Sequence, residues 1–225
     1  MKFMSTINKT AVVLDFDRTL FDTDSFKNDL AKSLSDLGVT SNIFFKLYPK
    51  AVTKNGDGVN SYNLNKHVKL MVRVVKFLST KQTREKLLSV FKKSYCYLYP
   101  ETIKFLIKLK QNNFYLILLS HGPLVLQRLK INHSNIVSYF SEIVVLDGKV
   151  KAPFFKKMTK KFNRVWFVSD HLGELQRVKS NFAKVKLIMK LSPSSKVDFT
   201  KEKRILKARK LFTVFKIIKS SEKLK

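Results

Sequence analysis

Ala11-Val12-Val13-Leu14 is an apolar, partly β-branched run that stops abruptly at two carboxylates, Asp15 and Asp17, with Phe16 between them. The run is too short for a helix or a membrane span and reads as a buried strand of a parallel sheet. Unpaired charge is costly inside such a strand. It fits at the carboxyl end, where ligands bind in open α/β sheets. With the chain extended through Phe16, Asp15 and Asp17 point to the same side, and Arg18 points away from them. Two acids aimed at one spot suit a metal site, or nucleophilic and acid–base chemistry. The bland alternative is a pair of acids that caps a turn.

The pattern recurs further along and favours the first reading. Phe114 to Leu119 is a second apolar run, ending in Ser120; Val165 to Val168 is a third, ending in Ser169-Asp170. Shorter strands are expected at Ile143–Leu146 and Val185–Met189, with helices from Pro100 to Asn112-Asn113, Pro123 to about Lys130, Pro153 to about Lys161 and Glu174 to Phe182. Such alternation predicts an α/β fold with a Rossmann-like parallel sheet covered on both faces. The polar ends of the three strong strands then meet at one edge. Residues 23–97 read differently. Phe26, Leu30, Leu34 and Leu37 recur at helical spacing up to Gly38, and Ser41–Tyr48, Leu64–Val75 and Thr83–Tyr95 follow, with a loop at Lys54–Gly58. The expectation is an all-helical module, residues 23–97, inserted into a core made of residues 1–22 and 98–225.

With 225 residues, 44% of them hydrophobic, the chain can bury a sizeable core and is not a disordered polymer. One cysteine, Cys96, excludes an internal disulfide, suits a reducing compartment and reads as a small buried residue. No signal-peptide pattern is present, and no stretch approaches the ~18 apolar residues of a membrane span, so a cytoplasmic protein is expected. Lys and Arg number 45 against 16 Asp and Glu, a net charge of +29. That excess would attract polyanions such as nucleic acid, but its dispersion over every segment favours a solvated surface. The tail from about Thr200 reads as one long basic helix, 200–225. Its stripe of Ile205, Leu211, Phe212, Phe215 and Ile218 is expected to dock on the core. The four histidines show no metal-ligand spacing.

Taken in order, Asp15-Phe16-Asp17-Arg18-Thr19, Ser120, Lys151-Ala152-Pro153 and Asp170 with Glu174 resemble the four motifs of the haloacid dehalogenase (HAD) superfamily. A helical cap between the first and second motifs is also a family arrangement. The likeness runs to about Ser192. It departs from the usual pattern at Arg18 and Ser169, where Gly is common, at His121, and at Glu174, where an Asp is common. Lys149 competes with Lys151 for the third motif, and the following Pro153 favours Lys151.

The resemblance implies a Mg²⁺-dependent phosphatase acting on a small phosphorylated metabolite through an aspartyl-phosphate intermediate. Asp15 would be the nucleophile and Asp17 the proton shuttle. Ser120 would donate to a phosphoryl oxygen, and Lys151 would pair with Asp15 and the phosphate. Mg²⁺ would lie on Asp15, the Asp17 carbonyl and Asp170, with Glu174 beside them. A dehalogenase would lack the second acid, so Asp17 argues against that branch. A phosphoglucomutase-like phosphotransferase would keep both acids. A polyanion- or nucleic-acid-binding protein on a HAD scaffold is the reading from another class. It is not favoured, because binding alone does not require Asp15, Asp17, Lys151 and Asp170 together.

Overall fold

The computed structural model describes residues 7–54, 60–193 and 205–223. Its centre is the predicted apolar run. Strand β1 (Ile7–Leu14) lies between β4 (Tyr115–His121) and β6 (Phe162–Ser169), paired in parallel to both. With β5 (Glu142–Leu146), β7 (Val185–Lys190) and β8 (Leu206–Ala208) these make a six-stranded parallel sheet of order β5-β4-β1-β6-β7-β8. Strand alternation divides the core. Val12, Leu14, Leu116, Leu118, Trp166 and Val168 face one side, where α5 (Thr102–Gln111), α6 (Leu124–Asn132) and α9 (Leu211–Lys223) lie. Ala11, Val13, Ile117, Leu119 and Phe167 face the other, against α7 (Ala152–Lys161) and α8 (Leu172–Asn181). Ala11 through Leu14 are fully buried, each large apolar side chain contributing about 1.5–3 kcal/mol. Burial on this scale lets the sheet's edge carry several costly buried charges.

Residues 23–97, between β1 and α5, hold α1 (Thr23–Lys32), α2 (Ser41–Leu47), α3 (Leu64–Val74) and α4 (Thr80–Lys92) with short 3₁₀ turns. Asp22 caps α1 by accepting from the N–H groups of Asp24 and Ser25. Gly38 adopts φ +78° beyond the following turn. The insert is not all-helical: β2 (Val52–Lys54) pairs antiparallel with β3 (Asn60–Tyr62). Strands of three residues are too short to show a two-residue period, so the sequence reads there as a break between helices. The predicted loop falls outside the described residues beyond Lys54. The hairpin stacks Tyr62 on Tyr48, with ring centroids 4.9 Å apart and 12° between planes.

The tail is not one helix. Ile205 packs with the α7–α8 side, residues 206–208 extend the sheet as β8, and the helix starts only at Leu211; residues 200–204 lie outside the described residues. Docking does occur: Leu211, Val214, Phe215 and Ile218 are buried, and Arg164 reaches Glu222 at 2.7 Å. Cys96 is exposed, in a 3₁₀ turn at Ser94–Tyr97, rather than buried. Among the described residues, no helix is long and apolar enough to cross a membrane.

Candidate active site

The carboxyl ends of β1, β4 and β6 are neighbours, so Asp15, Ser120 and Asp170 come to one edge of the sheet. Asp15 extends β1 by donating its N–H to the Val168 carbonyl at 2.9 Å. Its side chain is 8% exposed, that of Lys151 2%, and Lys151 Nζ donates to Oδ1 at 2.5 Å. Lys149 contributes only its carbonyl, to His121 Nε2, so the Pro-flanked lysine is the one that reaches the acid. Lys151 also meets Glu174 Oε2 at 2.8 Å. The other Glu174 oxygen lies 2.7 Å from His121 Nδ1. Burial works against the ammonium, but Asp15 and Glu174 outweigh it and hold Lys151 well above the ordinary lysine range. Burial likewise opposes the Glu174 charge; Lys151 and His121 override it and hold that carboxyl down at about 2. For Asp15, burial wins over Lys151 and its pKa is raised.

Asp17 has a lysine of its own, which the sequence reading missed. Lys130 Nζ donates to both Asp17 oxygens at 2.6 and 2.8 Å, in a cage formed by Phe16, Phe21 and Phe26 with centroids 5.3–5.7 Å away. Gln127 Nε2 donates to Asp17 at 2.7 Å and to Ser120 Oγ at 2.6 Å, and Thr23 donates to Asp17 at 2.8 Å. Burial resists the Asp17 charge, but Lys130, Gln127 and Thr23 together lower its pKa. Gln127 and Lys130 lie at i, i+3 on α6, one turn apart on one face. Gly122 sits at φ +143°, and a Cβ there would lie 3.0 Å from Gln127 Oε1, so this glycine admits Gln127. Ser120 is fully buried; its Oγ accepts from Gln127, which leaves its O–H to donate elsewhere.

Arg18 replaces the usual glycine at a left-handed position, φ +56°, a conformation unfavourable for a side chain. Its guanidinium pairs with Asp24 at 2.6 Å in the first turn of α1. Ser169 is not among the positive-φ residues; its hydroxyl accepts from the His171 N–H. Thr19 Oγ1 donates to Asp15 at 3.3 Å and accepts the Asp170 N–H at 3.1 Å. No side-chain hydrogen bond or ion pair reaches the Asp170 carboxylate among the described residues. Burial, then the Asp15 charge, pushes it up to about 8.

No cluster of three or more His, Cys, Asp and Glu side chains suited to a metal ion occurs among the described residues. Among the described residues two carboxylates, Asp15 and Asp170, have a raised pKa, and no side chain there bonds the second of them. That donor set, with a backbone carbonyl, fits a hard cation that keeps several waters, as Mg²⁺ does. Beside this edge a cavity of about 280 Å³ opens between sheet and insert, lined by Asp17, Gln127 and Lys130 on one side and by Lys27, Tyr48 and Tyr62 on the other.

No protein-family model and no curated protein sequence matches the chain. Solved structures do. A candidate haloacid dehalogenase-like hydrolase from Burkholderia xenovorans superposes with a TM-score of 0.74 at 16% identity, over 95% of this chain and 98% of that one. The candidate HAD-hydrolase YfnB of Bacillus subtilis, crystallised with magnesium, gives 0.63 at 14% identity over 93% and 98%. A predicted phosphoglycolate phosphatase from Haemophilus somnus gives 0.58 at 16% over 96% and 100%. The chain therefore has the fold of the haloacid dehalogenase-like hydrolases.

Proposed function

We propose that the protein is a Mg²⁺-dependent phosphatase of small phosphorylated metabolites, with residues 23–97 as a cap over a core formed by residues 1–22 and 98–225. The observation that carries this reading is the pairing at one sheet edge of Asp15 with Lys151 and of Asp17 with Lys130. Phosphoryl transfer needs an in-line nucleophile, a proton carrier and fixed positive charge, and these two pairs supply all three.

An Asp15 oxygen attacks phosphorus. The bond from phosphorus to the leaving oxygen breaks, its electron pair stays on that oxygen, and Asp17, which enters this step in its protonated form and regains that form from water in the second, passes its proton to it. Water then attacks the aspartyl-phosphate, Asp17 takes the water's proton, and Asp15 is released with inorganic phosphate. Ser120 donates to a phosphoryl oxygen, and Lys151 holds Asp15 and the phosphate together. Glu174 enters this reading as the residue that, with His121, fixes Lys151, because both its oxygens are engaged. Mg²⁺ on Asp15, the Asp17 carbonyl and Asp170 would neutralise charge on the transferring group. Such preorganised electrostatics are usually the largest catalytic contribution. A predicted phosphatase on the same fold and a magnesium-bound neighbour support the reading.

The test is a screen of phosphate esters with Mg²⁺, comparing wild type with Asp15→Asn. Turnover in the wild type and a fall of more than about 1,000-fold in the variant are expected. No turnover on any ester, or equal turnover in both proteins, would sink the proposal.

A further inference from the structure

The cavity beside Asp17 is charged out of balance. Of the residues that line it, Arg18, Lys27 and Lys130 are cationic and only Asp17 is acidic. Lys130 is matched by Asp17 and Arg18 by Asp24. Lys27, on α1, is not matched: among the described residues it makes no hydrogen bond or ion pair, and its Nζ rests 4.7 Å from the Tyr48 ring centroid. The Tyr48 hydroxyl likewise has no hydrogen-bond partner among the described residues. Burial, then the Asp17 charge, keeps that phenol up at about 12, a neutral O–H donor. Burial, then the like charges of Arg18 and Lys130, works against the Lys27 ammonium. A half-buried cation and a phenol thus line the cavity that Asp17 also lines, and among the described residues neither has a hydrogen bond or ion pair, although Asp17 and Asp24 act on the ammonium from further off. An incoming anion would pair the unmatched ammonium through a charge-assisted hydrogen bond and restore the balance.

We propose that the substrate's leaving group carries a second anion, a carboxylate or a second phosphate, which Lys27 binds across the cavity from Asp17. This rests on the phosphatase reading above and adds the class of substrate. At about 280 Å³ the cavity suits a short leaving group. Phe26, Leu30, Phe91 and Leu126 on its walls are apolar, and Arg18 and Lys130 are already paired with Asp24 and Asp17, so Lys27 is the lining cation left for the anion.

The experiment compares matched substrates in the intact enzyme with Mg²⁺. Phosphoglycerate is set against glycerol phosphate for the carboxylate, fructose bisphosphate against fructose phosphate for the second phosphate, and p-nitrophenyl phosphate serves as the neutral reference. Wild type is expected to favour the anion-bearing member of at least one pair by tenfold or more in kcat/KM, and the pair that shows it names the anion. Lys27→Met is expected to bring that preference below about threefold through KM, and Lys27→Arg to keep it. Lys27→Gln replaces Lys27→Met if the latter does not fold. Equal kcat/KM within both pairs in a wild type that turns over p-nitrophenyl phosphate overturns the inference and leaves the phosphatase reading standing. A preference unchanged in the folded Lys27 variant also overturns it. No turnover of any ester removes both.

Discussion

The two walls of the cavity differ in how their charges are satisfied. On the sheet side, Asp15, Asp17, Glu174 and Lys151 are each held by a partner within 2.8 Å, and the aromatic cage fixes Lys130. On the insert side, Lys27 and Tyr48 face the same space with only the cation–ring contact between them and, among the described residues, no hydrogen bond or ion pair. A wall whose hydrogen bonds are already made is preorganised for one chemistry. A wall with open donors is completed by what binds to it. On the phosphatase reading proposed above, the sheet edge would carry the reaction and the insert the selection, and each assignment can be attacked separately.

The largest expected effect is on the sheet side. Lys151→Met leaves Asp15 and Glu174 as buried carboxylates without their shared cation, a class of change that costs about 3–5 kcal/mol. Denaturant melts should show that loss together with loss of turnover. Lys27→Met, which breaks no ion pair, should cost less than about 1 kcal/mol. Similar losses in the two variants would erase the distinction between the walls.

Asp170 is the exception on the sheet side, since its carboxylate has no hydrogen bond or ion pair among the described residues. If Mg²⁺ completes it, the metal at one hundred times its Kd raises stability by about 2.7 kcal/mol. Thermal melts with and without Mg²⁺ should therefore separate in the wild type and coincide in Asp170→Asn. A rise of equal size in Asp170→Asn would move the cation off this residue.

The same contrast explains what could be read from the sequence. The sheet side was legible because the run from Ala11 to Leu14 is apolar on both faces and its polar terminus is adjacent in sequence, as it is for Ser120 and Asp170. Lys130 and Gln127 were not read, although they lie one turn apart on α6, because a lysine among 45 basic residues carries no signal until the fold places it on Asp17. The hairpin β2–β3 and the strand β8 escaped because three residues hold no measurable period. Strand β8 is specified by pairing with β7, a tertiary effect that local pattern does not encode. Arg18 was expected to face away from the two acids. Its left-handed backbone instead sends it to Asp24, a turn geometry no alternation rule contains.

The smallest effect separates the two regions by pH. His67, on α3 in the insert, is fully buried; its Nε2 donates to the Phe44 carbonyl at 3.1 Å, and its Nδ1 lies 2.9 Å from the Tyr62 hydroxyl. A neutral ring satisfies both contacts, and burial takes its pKa from histidine's ordinary 6.5 to about 4. The unfolded chain therefore binds a proton that the folded insert refuses, and stability falls as pH drops from 6.5 towards 4. Glu174, held at about 2 instead of 4.5, withdraws its contribution only below 4.5. Hydrogen exchange of α3 amides, corrected for intrinsic rates, should weaken by on the order of 1–2 kcal/mol across the upper window. Amides of β1 and β4 should hold until the lower one, and His67→Gln should flatten the α3 response. If α3 and the sheet lose protection together at every pH, insert and core unfold as one unit, and His67 cannot set a separate threshold for the wall that carries Lys27.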